Sequence, residues 1–356
     1  MNASDVISGR YEIKRHVGRG GMQDVYLAMD KLLEMEVALK TPQAGQQDKR
    51  FSQSAILAAR VNHHNVAKTL DYFEENGKLF LIEEYVVGET LEDKLARFGL
   101  VDPHLSARIL HHMSKGIAAS HHAGVVHRDL KPSNIMAEPG VNLHRLKITD
   151  FGIATLTEGL LDEAARGGDL TRSTSGTIKG ALPYMAPEMM FRAPGDHPGP
   201  PADIWSLGAL MFRLLTGEYP FGVFLDAAVN VRNKTRKAWP AFMKANPQYE
   251  PLASELISMV DRCLEYDPDK RPTADQLVAE CDQLCYINVH RSEGTVTNFI
   301  QNGYSGFATG RDGQIFFSME SVYGTTRPGT AKNTKLCYCM FPGNPRHRGH
   351  PIVVIG

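Results

Sequence analysis

The eight residues His-Arg-Asp-Leu-Lys-Pro-Ser-Asn at positions 127–134 constrain the fold of this chain more than any other stretch. They place Asp129 and Asn134 five positions apart between apolar segments, and a second acid follows at Asp150 in the triplet Asp-Phe-Gly. Carboxylate and amide oxygens suit hard divalent cations such as magnesium. A carboxylate beside such a cation can also orient a hydroxyl group. The pattern therefore predicts a site that holds a metal-bound nucleotide next to a substrate hydroxyl.

A glycine-rich segment lies upstream, within residues 11–41, whose alternation predicts strands. Gly18, Gly20 and Gly21 would let backbone N–H groups approach phosphate oxygens. Such glycines alone are equally typical of a plain hairpin turn. Val25 shortly after the turn, and Lys40 at the end of Val-Ala-Leu-Lys, favour a loop that covers phosphates.

Together these motifs resemble those of the eukaryotic-type protein kinases, in the form of the bacterial Ser/Thr kinases. The likeness includes Asp203 in Asp-Ile-Trp-Ser-Leu-Gly, and Glu188 with Arg271, which match a buried ion pair of the family. The resemblance implies an α+β, two-lobed kinase fold within residues 1–286. Its small lobe would span residues 8–86 and its large lobe residues 87–286.

The resemblance also implies a role for each motif residue. Asp129 would accept or orient the hydroxyl proton, Lys131 would contact the γ-phosphate, and Lys40 would contact the α- and β-phosphates. Asn134 and Asp150 would hold Mg²⁺ on ATP. The residues expected to bind ATP are Val17, Gly18, Gly20, Gly21, Val25, Ala38, Lys40, Glu84 and Val86.

Three positions depart from the family pattern. Gln23 replaces the third glycine of the loop, and Ala181 stands where a threonine is usual. Ser54 stands where a helix glutamate normally pairs with the strand lysine. We expect Glu83 to project towards Lys40 and supply the missing carboxylate. The alternative is a register shifted by one residue, which would leave Glu83 in solvent.

The segment between Ile153 and Pro187 is polar and glycine-rich and corresponds to the activation loop of the family. We expect autophosphorylation there, with the phosphate drawn to Arg128. An unmodified, flexible loop is the alternative. The candidate phosphosites are Thr171, Ser173, Thr174, Ser175 and Thr177.

Residues 287–356 form a segment of different composition, rich in glycine, threonine and alternating apolar residues. Five short predicted strands indicate a small all-β barrel. The motifs Gly-x-Val-x-x-Phe at 294–299, Gly-Phe-Ala at 306–308 and Ile-Phe-Phe at 315–317 resemble a cold-shock domain of the OB-fold type. This resemblance implies that aromatic side chains stack on single-stranded nucleic acid. The candidates are Phe299, Tyr304, Phe307 and Phe316.

The charge of this segment leaves two roles open. Seven Lys and Arg residues against three Asp and Glu residues give it a net charge of +4. A positive surface suits a phosphate backbone. It equally suits a protein contact or autoregulatory docking on an acidic face, including the chain's own kinase lobe.

Composition narrows the setting of the whole chain of 356 residues. Its formal net charge of −1 argues against a polycation made for nucleic acid along its length. Five cysteines without a regular framework indicate reduced thiols and a cytoplasmic location. The absence of an apolar run long enough for a membrane helix predicts no membrane partner.

The sequence thus predicts a Ser/Thr protein kinase that uses ATP and Mg²⁺ and acts on protein substrates. One alternative is a pseudokinase whose departures have removed turnover. Another is a nucleic-acid-linked sensor with an ATP-binding switch domain. Kinases of the resembled type often activate by pairing, so a homodimer is a further expectation.

Overall fold

The fold is described from a computed structural model of the 356-residue chain. The described residues are 1–19, 23–43, 49–151, 180–193, 196–300, 303–326, 328 and 334–356, without the side chains of residues 49, 50, 53 and 54. They form a small lobe, a larger helical lobe and a β-barrel at the carboxyl end of the chain.

The small lobe is a six-stranded sheet with the order β1-β2-β3-β4-β6-β5. Alternating side chains such as Tyr11 and Ile13 in β2, and Val37 and Leu39 in β4, are buried and form its apolar core. Helix α1 packs Phe51 and Ala55 against the sheet. The elements are β1 (Val6–Ile7), β2 (Tyr11–Arg19), β3 (Gln23–Asp30), β4 (Met35–Pro42), α1 (Lys49–Ala58), β5 (Thr69–Glu75) and β6 (Lys78–Glu84).

The large lobe is built mainly from helices around one extended core. A short sheet with the order β7-β8-β9 carries the connections that reach the site. Its strands are β7 (Glu89–Thr90), β8 (Ile135–Ala137) and β9 (Leu146–Ile148). The helices are α2 (Leu91–Phe98), α3 (Pro103–His122), α4 (Pro187–Met190), α5 (Pro201–Thr216), α6 (Phe224–Arg232), α7 (Phe242–Ala245), α8 (Glu250–Cys263) and α9 (Ala274–Cys281).

Residue chemistry explains where the longest helices begin and end. Asp102 caps α3, because its carboxylate accepts the N–H groups of His104 and Leu105, and Pro103 follows at the first helical position. Gly217 ends α5 with a φ of 76°, a left-handed conformation that glycine adopts without strain. Helix α5 is apolar on almost every side and lies in the centre of the lobe.

The barrel is closed, with the order β10-β11-β12-β14-β13. The β12–β14 pair is parallel and the other pairs are antiparallel. Inward side chains including Val296, Ile315 and Phe317 fill it. The strands are β10 (Arg291–Phe299), β11 (Ser305–Gly310), β12 (Gly313–Ser318), β13 (Lys335–Phe341) and β14 (His347–Ile355).

The barrel packs directly on the large lobe. Tyr323 and Val353 belong to the same apolar core as the helices. The Tyr323 hydroxyl donates to the Leu215 carbonyl at 3.0 Å, and the Tyr249 hydroxyl donates to the Ser321 carbonyl at 2.5 Å. The buried Arg291 guanidinium pairs with Asp102 through two hydrogen bonds of 2.7 and 2.9 Å.

The predicted fold class is confirmed: a two-lobed kinase fold is followed by a closed five-stranded barrel. The alternation of residues in the sequence did not indicate the parallel pairing of β12 and β14 in that barrel. None of the described helices combines the length and apolar character needed to cross a membrane.

Candidate active site

The backbone ladder of the small lobe sets the positions expected to surround the nucleotide. Gly18 lies opposite Val25, Val25 opposite Lys40, and Lys40 opposite Leu81, so one row crosses strands β2, β3, β4 and β6. Ala38 is buried two residues before Lys40 on the same strand. Val17, near the end of β2, is exposed, while Gly20 and Gly21 lie outside the described residues.

Lys40 lies between two carboxylates. Its Nζ is 2.5 Å from Glu83 Oε2 and 2.6 Å from Asp150 Oδ1. Burial would lower the pKa of Lys40, but the charges of Asp150 and Glu83 raise it above its ordinary value. Lys40 is therefore held as an ammonium ion at the lobe interface.

The two carboxylates differ in their environment. Burial would raise the pKa of Asp150, but the charge and hydrogen bond of Lys40 hold it below its ordinary value. Burial raises the pKa of Glu83, against the attraction of Lys40. Asp150 is thus the carboxylate better suited to meet a cation, and Glu83 is the buried partner of the lysine.

Gln23 contacts the site in a way that the sequence did not reveal. Its Nε2 donates to Asp150 Oδ1 at 2.9 Å, the same oxygen that Lys40 contacts. Gln23 is buried, although it occupies a position where the family has glycine. The signal available in the sequence was the departure itself, but the identity of its partner, 127 positions away, needs the fold.

On the large-lobe side, Asp129 lies at the centre of a compact polar group. Lys131 Nζ is 2.7 Å from Asp129 Oδ2 and 3.0 Å from Oδ1. Asn134 Nδ2 donates to the Asp129 carbonyl at 2.8 Å and to Oδ2 at 3.0 Å. Asp129, Lys131 and Asn134 are therefore brought together as the motif predicts, without a threonine at position 181, where Ala181 is buried.

A buried carboxylate holds the turn that presents Asp129. Arg128 has a φ of 59°, which is rare for a residue with a side chain. Asp203 Oδ2 accepts the His127 N–H at 2.8 Å, and Oδ1 accepts the Arg128 N–H at 2.7 Å. Burial would raise the pKa of Asp203, but its hydrogen bond to His121 helps to hold it below its ordinary value. These charge-assisted contacts stabilise the strained turn.

His127 is a packed residue in this turn. It is buried, its Nε2 donates to the Thr149 carbonyl at 2.9 Å, and its Nδ1 accepts the Asp129 N–H at 3.3 Å. Its ring meets Phe151 edge-on at a centroid distance of 4.6 Å. Both ring nitrogens are therefore used to join the Asp129 and Asp150 segments.

Glu84, one of the residues expected to bind ATP, is the last residue of strand β6. The Glu84 N–H donates to the Lys68 carbonyl at 2.8 Å, and its carboxylate pairs with Lys147 at 2.8 Å. Val86 lies in the connection to β7. The adenine contacts expected of Glu84 and Val86 stay predictions.

Other predicted features are distributed around this centre. The Glu188–Arg271 pair joins two landmarks of the large lobe through contacts of 2.6 and 2.9 Å. Arg128 Nε donates to the Pro198 carbonyl at 2.8 Å. The candidate phosphosites lie outside the described residues; they are Thr171, Ser173, Thr174, Ser175 and Thr177.

The barrel does not bring its four aromatic candidates together on one face. Phe307 and Phe316 are cross-strand partners on its outer side, with ring centroids 5.8 Å apart. Phe299 instead packs edge-on against the core residue Phe317. Tyr304 lies towards the kinase lobe in a groove of about 570 Å³ and donates to Glu320 at 2.9 Å.

The side chains fit a magnesium–nucleotide complex. The Asn134 amide nitrogen is committed to Asp129. Its oxygen accepts a 3.5 Å contact from the Ser133 hydroxyl and has a second lone pair for a cation, and Asp150 supplies a carboxylate. The described residues contain no group of three or more His, Cys, Asp or Glu able to hold a metal. Asn134 and Asp150 would supply the one or two protein oxygens that magnesium commonly takes, with phosphates and water completing its shell.

Comparison with known proteins gives the family. Residues 11–281 match the protein kinase domain family, so the match covers most of both lobes. The chain belongs to the protein kinase family. The predicted protein kinase domain is thereby confirmed, whereas the match ends before the barrel and leaves its cold-shock likeness a prediction.

The kinase is similar to several bacterial serine/threonine-protein kinases. It is 34% identical over 257 residues to PrkC of Bacillus subtilis, covering 70% of this chain and 37% of that protein. It is 33% identical over 282 residues to pkn2 of Myxococcus xanthus, covering 77% and 32%. With PknB of Mycobacterium tuberculosis it shares 31% over 303 residues, covering 82% and 45%. The chain therefore spans from about a third to less than half of the length of these relatives.

Proposed function

We propose that this kinase transfers the γ-phosphoryl group of ATP to serine or threonine hydroxyls of proteins, with Mg²⁺ as cofactor. The observation that carries the proposal is the Asp129 group. The Lys131 ammonium and the Asn134 amide each lie within 3.0 Å of the Asp129 carboxylate, which follows a turn held by Asp203. Lys40 and Asp150 supply the charges expected on the opposite side of the nucleotide.

The residues of the chain divide the chemistry between them. The Asp129 carboxylate orients the acceptor hydroxyl and takes its proton as the new oxygen–phosphorus bond forms. Lys131, beside Asp129, stabilises negative charge on the transferred group, and Lys40 orients the phosphates that leave with ADP. Asn134 and Asp150 would hold magnesium, which neutralises phosphate charge when bound. None of these residues needs to form a covalent intermediate.

Phosphoamino-acid analysis tests this proposal. The purified chain is incubated with γ-labelled ATP and magnesium, together with protein substrates rich in serine, threonine or tyrosine. We expect label on serine and threonine. Absence of transfer to any substrate, combined with binding of ATP, would favour the pseudokinase alternative.

The same incubation tests autophosphorylation of the activation loop. Mass spectrometry is expected to find phosphate on one or more of the five candidate residues between 171 and 177. Phosphate confined to other segments, or none on a chain that phosphorylates substrates, would contradict that part of the proposal.

For the domain at residues 287–356 we propose a structural role on the large lobe, with the kinase domain at residues 1–286. The Arg291–Asp102 pair is fully buried between the two parts, and the aromatic side chains of Tyr249 and Tyr323 pack in the same interface. A buried ion pair with two matched hydrogen bonds orients the parts relative to each other. These contacts support docking on the chain's own kinase lobe.

Binding of single-stranded nucleic acid is a second candidate role. It is favoured by Phe307 and Phe316, which form an outer aromatic pair beside Arg346 and Arg348. Fluorescence anisotropy with a labelled single-stranded oligonucleotide tests it. Loss of binding in Phe316→Ala, with binding retained in the distant Leu32→Ala, is the expected result if the pair stacks on bases. No binding at low salt would contradict it.

A further inference from the structure

We propose that Glu83 positions Lys40 from within the small-lobe sheet, so that alignment of this lysine does not depend on helix α1. The inference rests on the proposed kinase function and gives Glu83 a role in it. Glu83 acts through Lys40, and is therefore a positioning residue for phosphoryl transfer.

The sheet register explains how Glu83 reaches Lys40. In the antiparallel pair of β4 and β6, Ala38 lies opposite Glu83, and Lys40 lies opposite Leu81. Glu83 and Lys40 are therefore diagonal neighbours, with side chains on the same face of the sheet. Long side chains span that diagonal, and the observed separation of Nζ and Oε2 is 2.5 Å.

Because Glu83 and Lys40 are both buried, separating their charges would be costly. Glu83 is 3% exposed and Lys40 is 5% exposed. An unpaired carboxylate at that depth would cost on the order of several kcal/mol. Glu83 consequently stays with Lys40 when Asp150, whose side chain is 20% exposed, turns to other partners.

The ammonium group has enough donors for this arrangement. A lysine carries three N–H donors. Glu83 and Asp150 accept two of them, which leaves the third for a phosphate oxygen. The lysine is therefore oriented before a nucleotide arrives, a form of preorganisation.

Helix α1, Lys49–Ala58, contains no carboxylate that could pair with Lys40. The sequence contains no Asp or Glu between Phe51 and Asn65. The helix packs on the sheet through Phe51 and Ala55, which touch Leu81. Such apolar contacts are not directional, so they do not fix the position of a charged atom. A displacement of α1 would leave the Lys40–Glu83 pair within one sheet.

The test is a double-mutant cycle on Mg-ATP binding, measured by calorimetry, with kcat measured on the same proteins. The variants are Glu83→Gln, Lys40→Met and the double variant. Glutamine has the size of glutamate, and Lys40 keeps Asp150, so we expect Glu83→Gln to fold. Circular dichroism and thermal unfolding check this. Controls are Glu74→Gln, an exposed acid on β5, and Ser54→Ala on α1.

We expect Glu83→Gln to weaken Mg-ATP binding about fivefold and to lower kcat about tenfold, because the ammonium loses one of two charged anchors. In the Lys40→Met background the same change should cost less than about twofold, since Glu83 acts through the lysine. Both controls should stay within about twofold of the wild type. Equal losses in both backgrounds, or no loss in Glu83→Gln, would overturn the proposal.

The binding measurement separates this inference from the proposed function. If the wild type binds Mg-ATP but transfers no phosphate, the proposed function fails, and the cycle still reports whether Glu83 positions Lys40. If Ser54→Ala weakens binding more than Glu83→Gln does, helix α1 supplies the anchor, and the inference is wrong while kinase activity stands.

Discussion

At the scale of single residues, Asp150 Oδ1 is contacted by two hydrogen-bond donors of the small lobe. It accepts hydrogen bonds from Lys40 at 2.6 Å and from Gln23 at 2.9 Å. A metal ion on the same carboxylate would compete with both donors. Gln23 thus links strand β3 of the small lobe to the Asp150 segment of the large lobe, which no glycine in its place could do.

Replacing Gln23 tests this competition. Gln23→Ala removes a donor to a charged oxygen, and such bonds contribute about 1.5–3 kcal/mol net. We expect Mg-ATP to bind at least about tenfold more tightly. Calorimetric titration measures this, with the exposed Gln283→Ala as the matched control. Weaker binding in Gln23→Ala would mean that the amide assists the nucleotide.

The site shows what residue chemistry in the sequence can and cannot predict. The spacing of Asp129, Lys131 and Asn134 predicts their cluster, because all three lie on one short loop. The neighbourhood of Glu83 follows from counting along a strand. The Gln23–Asp150 contact depends instead on how the two lobes meet, and a lone glutamine carries no signal of a partner.

At the scale of elements, the first turn of α3 joins the two parts of the chain. Asp102 caps the helix and pairs with Arg291 at the start of β10. His104, in the same turn, accepts the Ile287 N–H on Nδ1 at 3.2 Å and lies against Tyr249 and His350. One helix terminus therefore carries capping, ionic and aromatic contacts together.

His104 makes the contact between the large lobe and the barrel sensitive to acid. Burial lowers the pKa of His104 to about 4, although the charge of Asp102 opposes the change. The folded state therefore resists protonation that the unfolded chain accepts below a pKa of about 6.5. The contribution of neutral His104 to the free energy of unfolding is complete above about pH 6.5. It is lost as the pH falls towards 4.

The prediction concerns the free energy of unfolding between pH 7 and pH 5. The loss due to His104 should reach about 2 kcal/mol at pH 5. His104→Gln should reduce the pH dependence by that amount in urea titrations at the two pH values. His122→Gln, at an exposed position of the same helix, should leave the dependence unchanged. Parallel pH profiles for His104→Gln and the wild type would contradict the assignment.

The secondary-structure elements were easier to predict than the contacts between them. The five strands of the barrel follow from alternation and turns. The Asp102–Arg291 pair joins positions 189 residues apart, and neither residue has a local feature that identifies its partner.

At the scale of the whole molecule, the barrel and the large lobe share one apolar core. Tyr323 and Val353 of the barrel pack among the residues of the helices. The buried Arg291–Asp102 pair lies at the same boundary. Burial would lower the pKa of Arg291, but the Asp102 carboxylate raises it, so the arginine stays charged. A continuous core predicts that these parts unfold together.

Arg291→Met tests how much the buried ion pair contributes to the stability of this boundary. Leaving Asp102 buried without its partner should cost about 3–5 kcal/mol of the free energy of unfolding. Adding Asp102→Asn, which keeps a helix cap, should recover part of that loss. Arg311→Met, at an exposed position of the barrel, should change little. Denaturant titration followed by fluorescence and circular dichroism should give one transition. Two separate transitions in the wild type would show that the barrel unfolds independently.

The kinetic effect of Asp129→Asn tests the central claim most directly, which is that this chain performs phosphoryl transfer at Asp129. The variant keeps the size of the side chain and removes the group that takes the hydroxyl proton. We predict that kcat falls by about 10²–10⁴-fold while the Kd of Mg-ATP, measured by calorimetry on the same protein, stays within about threefold. Transfer at the wild-type rate in Asp129→Asn would contradict the account.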